Sequence, residues 1–257
     1  MDFNFDIEKI KWVKGHRNMP EAHYIFKVPS VTAIISEFVP DPEYEQWVAK
    51  MGQEQVDKIM ISAAQRGTSF HFFLENFIFK YAETKDVSEA LKYTQIESPK
   101  KLLLDEIPPD KIEEGRDLFY KFYYSDYSNK YLDVLGIELA IYSPLHFYRG
   151  KLDILFKDSI YGLSLTDFKS SSSKIVPGST KEYKYKLQLG AYANAIDEMY
   201  ASKNIVVNNA SILCVNKKSD ILDETSCNGD ELKKYKEEFK TFAREYHIKY
   251  GQQFLVT

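Results

Sequence analysis

Two short runs carry the residues best suited to chemistry. Gly150-Lys-Leu-Asp153 is followed, after a turn, by Leu165-Thr-Asp167-Phe-Lys169. Side chains alternate across a strand, so Asp167 and Lys169 point one way and Phe168 the other. Asp153, between Leu152 and Ile154, also points away from its apolar neighbours. Charged strand residues are rarely buried unless they are paired or hold a metal. Two carboxylates and an ammonium converging from adjacent strands therefore predict a site that holds a divalent cation and activates water. Mg²⁺ and Mn²⁺ take oxygen ligands, here Asp153 and Asp167, with the carbonyl of Phe168 as a further oxygen between the charged side chains. Such ions make water more acidic and offset the charge that builds up when a phosphodiester is attacked. Lys169 adds a cation that orients the water or faces the developing charge. Taken alone, Asp-x-Lys is also what an exposed ion pair looks like, and such triplets are common.

Further residues add weight. His71 and Glu75 lie four apart on one predicted helix face, behind the Gly67-Thr68 break. An imidazole joining carboxylates shifts metal preference toward Mn²⁺, and the spacing differs from the His-Glu-x-x-His of zinc proteases. Downstream, Lys181, Lys184, Gln188 and Tyr192 form one helical stripe beside the apolar Leu187, Ala191 and Ile196. Their amide and phenol are able to bond phosphate or hold Lys169, although a solvated amphipathic helix explains the stripe equally well. Glu138 interrupts the apolar run Leu135-Gly-Ile-Glu-Leu-Ala140; it is expected outside the metal's own ligands, as Glu75 is, or facing solvent on a sheet edge. Pro29-Ser-Val-Thr32 offers no chemistry by itself.

The elements that must position these groups change character midway. The first half reads as helical: Val31 to Phe38 capped by Ser30 and stopped by Pro40, Glu43 to Arg66 ended by Gly67, and Phe70 to about Ala82 capped by Thr68 or Ser69. Asp86 to Pro109 is polar and broken by prolines, which predicts a short helix and loop, before a helix over Lys111 to Tyr127. Residues up to about Lys27 read as irregular or short strands. Strands are then predicted over Val134 to Tyr142, Gly150 to Lys157 and Tyr161 to Ser170, a helix over Lys181 to Lys203, a strand over Ile205 to Val215 and a last helix over Glu231 to Tyr250. That order predicts an α/β fold, a covered mixed sheet with an N-terminal helical subdomain. We divide it as 1–130, helical and supplying His71, and 131–257, the core, within one compact unit.

Composition narrows the function. With 44% hydrophobic residues in 257, the chain can bury a full core, and a net charge of −4 excludes a histone-like coater of nucleic acid. Any polyanion must meet a local basic patch. The two cysteines, Cys214 and Cys227, make neither a disulfide framework nor a metal knuckle. The acidic start, Met1 to Glu8, is unlike a signal or transit peptide, and no apolar run reaches membrane-spanning length, so an intracellular, cytoplasmic protein is expected, prokaryotic or in a phage-infected host. Tyr and Phe number 19 and 17, mostly a matter of core. Two runs, Lys181-Glu-Tyr-Lys-Tyr-Lys186 and Tyr120-Lys-Phe-Tyr-Tyr124, nevertheless interleave cations and rings as proteins that track single strands do.

In the order His71, Glu138, Gly150-x-x-Asp153, Asp167-x-Lys169, Gln188-x-x-x-Tyr192, the chain resembles the RecB-like branch of the PD-(D/E)XK nucleases over about residues 29–217. Within it the chain is most similar to the mitochondrial genome maintenance exonuclease and to phage and bacterial single-strand exonucleases; Pro29-Ser-Val-Thr32 and Gly67-Thr-x-x-His71 are shared features. The resemblance implies a restriction-endonuclease-like core, with His71, Asp153, Asp167 and the Phe168 carbonyl as metal ligands and Lys169 as the catalytic lysine. Gln188 and Tyr192 would contact substrate, with Lys181 and Lys184 on the same stripe. It implies Mg²⁺- or Mn²⁺-dependent cleavage of single-stranded DNA, ends or flaps, beneath an arch of N-terminal helices. Replication, repair or recombination proteins are the expected partners. Two cysteines cannot supply the four that hold the iron–sulfur cluster of related enzymes, and no phosphate-binding loop is present, so neither cluster nor bound nucleotide is expected. A structure-specific endonuclease and a catalytically dead DNA-binding module are the alternatives.

Overall fold

The computed structural model describes residues 28–131, 134–171, 173–218 and 222–250, so the reading of residues before Lys27 lies outside it. Five strands form one mixed sheet in chain order: β1 (Val134–Ser143), β2 (Tyr148–Asp158), β3 (Gly162–Ser171), β4 (Asn209–Asn216) and β5 (Asp223–Asn228). β3 and β4 are parallel, and every other neighbouring pair is antiparallel. The β2–β3 turn is built by Asp158, whose Oδ1 accepts from the amides of Ile160 and Tyr161, and by Gly162 at φ 77°.

Helices cover both faces, as expected of an α/β fold. On one side lie α1 (Val31–Phe38), α6 (Thr180–Met199) and α7 (Gly229–Tyr250), whose buried Ile34, Leu189 and Phe239 meet Leu155, Leu165 and Ile212 of the sheet. On the other lie α3 (Gln53–Thr84), α4 (Val87–Leu104) and α5 (Pro109–Tyr123), where Phe73, Phe77, Phe119 and Phe122 pack with Phe156 and Phe168. Each fully buried ring of this second layer contributes about 1.5–3 kcal/mol of apolar transfer. α2 (Pro42–Met51) buries none of its residues. The α3–α5 crossing is backbone-close: a Cβ on Gly115 would lie 2.3 Å from that of Ser69.

Ser30 caps α1 as predicted, its hydroxyl accepting from the Ala33 amide. Other boundaries need correction. The predicted break at Gly67 does not exist; α3 runs unbroken through it, and the chain breaks instead at Gly52, φ 81°. Gly67 serves a close approach, since a Cβ there would sit 3.3 Å from Ser170 Oγ. The short helix and loop predicted after Asp86 are instead the 18-residue α4, which carries Pro99 in its interior and buries Ala90, Thr94, Ser98 and Leu102. α5 stops at Tyr123, α6 at Met199, and β4 starts at Asn209 rather than Ile205. β5, a polar edge strand, was not predicted.

Candidate active site

The site lies where the sheet splits. β2 and β3 pair from Asp158/Gly162 to Ile154/Thr166 and then part, while β2 stays paired with β1 and β3 with β4. Asp153 is the first β2 residue beyond the split. Its Oδ2 accepts from the Phe168 amide at 2.6 Å, so a side chain takes over where the backbone ladder ends. The Phe168 ring turns away into the helical layer, edge-on to Phe122 at 5.5 Å.

Three groups from three elements meet in the opening. His71, one turn beyond Gly67 on α3, places Nδ1 3.4 Å from Asp153 Oδ1 and 4.0 Å from Glu138 Oε1. One ligand atom from each of His71, Glu138 and Asp153 lies within 4.8 Å of the others. Glu138 reaches in because β1 is locally left-handed there, φ 51°, a conformation costing a non-glycine residue about 1–3 kcal/mol and found mostly where a site imposes it. Two carboxylates and an imidazole are a donor set that suits Mg²⁺ or Mn²⁺. Asp167 lies outside this tightest group, its Oδ2 held by Lys169 Nζ. His71, Glu138, Asp153 and Lys169, with Gly67, Glu75, Lys151 and Ser170, line an open cleft of about 520 Å³.

The electrostatics are those of crowded charge. Burial drives the Asp167 carboxyl well above the usual range, against the pull of Lys169. Burial acts the same way on Asp153, but the His71 imidazole, Lys169 and the Phe168 amide outweigh it and hold Asp153 low. His71 is raised: burial opposes its charge, and the Asp153 carboxylate overcomes it. For Lys169, too, burial loses to Asp167 and Asp153, which keep it protonated. Burial and the neighbouring Glu138 raise Glu75.

The remaining predicted residues are placed differently. Gln188 and Tyr192 are buried and joined to each other, Nε2 to OH, at 2.7 Å. Tyr192 packs so tightly on Gly150 that a Cβ there would lie 2.6 Å from the ring, and it borders a small second cleft with Ser30, Thr32, Arg149 and Lys151. Lys181 donates to Ser171 Oγ at 2.9 Å, and Lys184 pairs with Asp41 at 2.9 Å; neither lines the main cleft. Two residues escaped prediction. Lys151 pairs with Glu138, a partnership its i, i+2 spacing from Asp153 allowed one to foresee. Arg66, buried beneath the cleft and 3.6 Å from Glu114, had no sequence signal beyond its place before Gly67.

Residues 45–253 match the family model of the PD-(D/E)XK nuclease superfamily. The chain belongs to that superfamily. That superfamily is one of nucleases that use divalent metals, and the mixed sheet with helices on both faces is consistent with its restriction-endonuclease-like fold. A solved structure described as a candidate exonuclease of Eubacterium rectale superposes with a TM-score of 0.41 at 11% identity, covering 68% of this chain and 66% of that one. No curated protein matches the sequence. Among the described residues no helix is long and apolar enough to cross a membrane.

Proposed function

We propose that this PD-(D/E)XK nuclease is a stand-alone metal-dependent exonuclease of the RecB-like branch, acting on single-stranded DNA or flaps in replication, repair or recombination. The observation that carries the reading is the meeting of His71, Glu138 and Asp153 beside the Asp167–Lys169 pair, at the split between β2 and β3. His71, Asp153 and Asp167, with Glu138 and the Phe168 carbonyl, are the residues to hold Mg²⁺ or Mn²⁺. Such an ion, when bound, acidifies water and offsets charge on the phosphorane. Lys169, kept protonated by Asp167 and Asp153, acts as a fixed cation toward the attacked phosphate rather than as a base. Asp153 both binds and spaces, since its second oxygen is committed to the Phe168 amide. Gln188 and Tyr192 support Asp167 and Lys169 from α6. Within the proposed division at residue 130, the described helices from Val31 to Tyr123 bring His71 and a cover to the core that begins at β1.

The test is incubation of end-labelled single- and double-stranded DNA with Mg²⁺, Mn²⁺ or EDTA, alongside Asp167→Ala and Lys169→Ala. The wild type should shorten single strands only with metal, and both variants should lose cleavage while still binding DNA. Equal cleavage by all three proteins, or indifference to EDTA, sinks the assignment. A covalently closed single-stranded circle should survive; its cutting would replace exonuclease by endonuclease.

A further inference from the structure

Beyond the catalytic cleft, α5 ends in a second surface with features of its own. Tyr120 and Tyr124 stack with centroids 5.9 Å apart and planes 16° from parallel, and Tyr124 is 77% exposed. The pair is held in place: Gln95 Nε2 donates to the Tyr120 hydroxyl at 2.6 Å, and Tyr123 meets Tyr124 edge-on at 5.0 Å. Large rings so exposed are unusual, and this one is pre-oriented with one face supported by another ring. Both tyrosines, with Lys121 and Lys217, line an open pocket of about 640 Å³.

The pocket and the cleft share no lining residue, but short contacts connect their walls. Lys217 follows β4, and its amide donates to the carbonyl of Ser171, two residues beyond Lys169. Lys217 Nζ contacts Glu114 at 2.8 Å, and Glu114 contacts Arg66, which adjoins the cleft-lining Gly67. Glu114 is also neutralised by Lys111 at 2.7 Å, and Lys121 caps the end of β4 through the Asn216 and Lys217 carbonyls. Lys111, Lys121, Lys217 and Arg66 stand against Asp110, Glu114 and Asp117 along this route, so it is close to neutral with one cation to spare. On a chain of net charge −4, such a stretch repels a polyanion less than the chain as a whole does.

We infer that the Tyr120–Tyr124 ladder is a base-stacking subsite for the single strand that occupies the catalytic cleft, receiving a nucleobase on the open face of Tyr124 while Lys121 and Lys217 face its backbone. Cations beside ring faces are the chemistry by which proteins follow single strands without reading sequence. The exposed carboxylate of Asp117 disfavours a phosphate in the pocket itself and leaves the base as its occupant. This deepens the nuclease reading and rests on it for the identity of the strand.

Fluorescence anisotropy of labelled single-stranded DNA, with metal chelated so that nothing is cut, tests it on wild type, Tyr124→Ala and Tyr124→Phe. Strands of about 15 nucleotides, the upper range of single-strand sites, are compared with strands of equal length whose bases are removed. Tyr124→Ala should weaken binding of the intact strand about tenfold, the size of one base–ring stack, and Tyr124→Phe should not. The baseless strand should bind wild type weakly and lose nothing more in Tyr124→Ala. Undiminished binding by Tyr124→Ala, an equal loss for both strands, or no binding of the intact strand by wild type overturns the subsite. Parallel cleavage assays keep the two readings apart. Metal-dependent cutting without a Tyr124 effect on binding removes only the subsite; Tyr124-dependent stacking without any cutting removes only the nuclease assignment.

Discussion

The two halves of the β2–β3 hairpin use one backbone for opposite ends. Near its turn, five residues on each strand pair in register and Leu155, Phe156 and Leu165 are wholly buried. Beyond Ile154 and Thr166 the strands part, each still paired on its outer side, and the residues become Lys151, Asp153, Asp167 and Lys169. Burial stabilises the closed half. The open half concentrates buried charges of both signs, whose desolvation is offset by one another, by His71 and the Phe168 amide and, in the proposed reaction, by a cation. The lesson is that the site is a controlled interruption of a stable sheet, with the closed half holding the open one apart.

The sharpest way to break this comparison is at Asp153. Asp153→Ala should lower cleavage by about a thousandfold, the worth of several kcal/mol of lost metal and charge stabilisation. It should also cost about 1–3 kcal/mol of stability by orphaning the Phe168 amide. Asp153→Asn, which keeps an acceptor for that amide, should be as inactive yet nearer wild type in urea unfolding; activity in the asparagine variant would separate the carboxylate's charge from catalysis. In the closed half, Phe156→Ala should cost about 3–5 kcal/mol while leaving the cleft residues unaltered in whatever remains folded, readable as metal affinity at low temperature. Gly150→Ala, in the open half of β2, drives a methyl against Tyr192 and should cost about 1–3 kcal/mol together with part of the activity.

The smallest effect belongs to the ion pairs beneath the open half. Partial burial opposes the Glu114 charge, but Lys111 and Lys217 hold its pKa at about 2 against an ordinary 4.5. A depressed carboxylate stabilises the fold above its unfolded value and ceases to do so as pH falls through the folded one. Glu114→Gln should therefore be less stable than wild type by about 1 kcal/mol near neutrality, the gap closing between pH 4.5 and about 2 in thermal melts.

Where physics is local, the sequence was legible. Ser30 as a cap, the three strands from Val134 to Ser171, and the convergence of Asp153, Asp167 and Lys169 follow from period, turn residues and charge in apolar runs, whereas His71 entered the site through the family resemblance. What escaped depends on tertiary contact. A glycine before a threonine reads as a helix break, yet Gly67 lies inside α3 because β3 presses against it. Pro99 reads as a helix breaker, but α4 keeps it because Ala90, Thr94 and Leu102 are buried along the same helix. β5 alternates only weakly and is an edge, so its pattern, Asp-Glu-Thr-Ser-Cys-Asn, carries little apolar signal. Glu138 looked peripheral because its reach into the cleft depends on a positive φ that no periodicity encodes. Lys184 read as part of the substrate-binding stripe because its partner, Asp41, is 143 residues away.

The Asp153 bond to the Phe168 amide also acts as an index mark. A ladder of identical backbone groups can slip by a residue with little local penalty, and one step of slippage turns every side chain to the other face. Here the ladder terminates on a carboxylate, and the flanking positions, Leu152 and Ile154, have nothing with which to accept that amide. The residue proposed to hold the metal therefore also fixes the alignment of the two strands that bring the other charges to it.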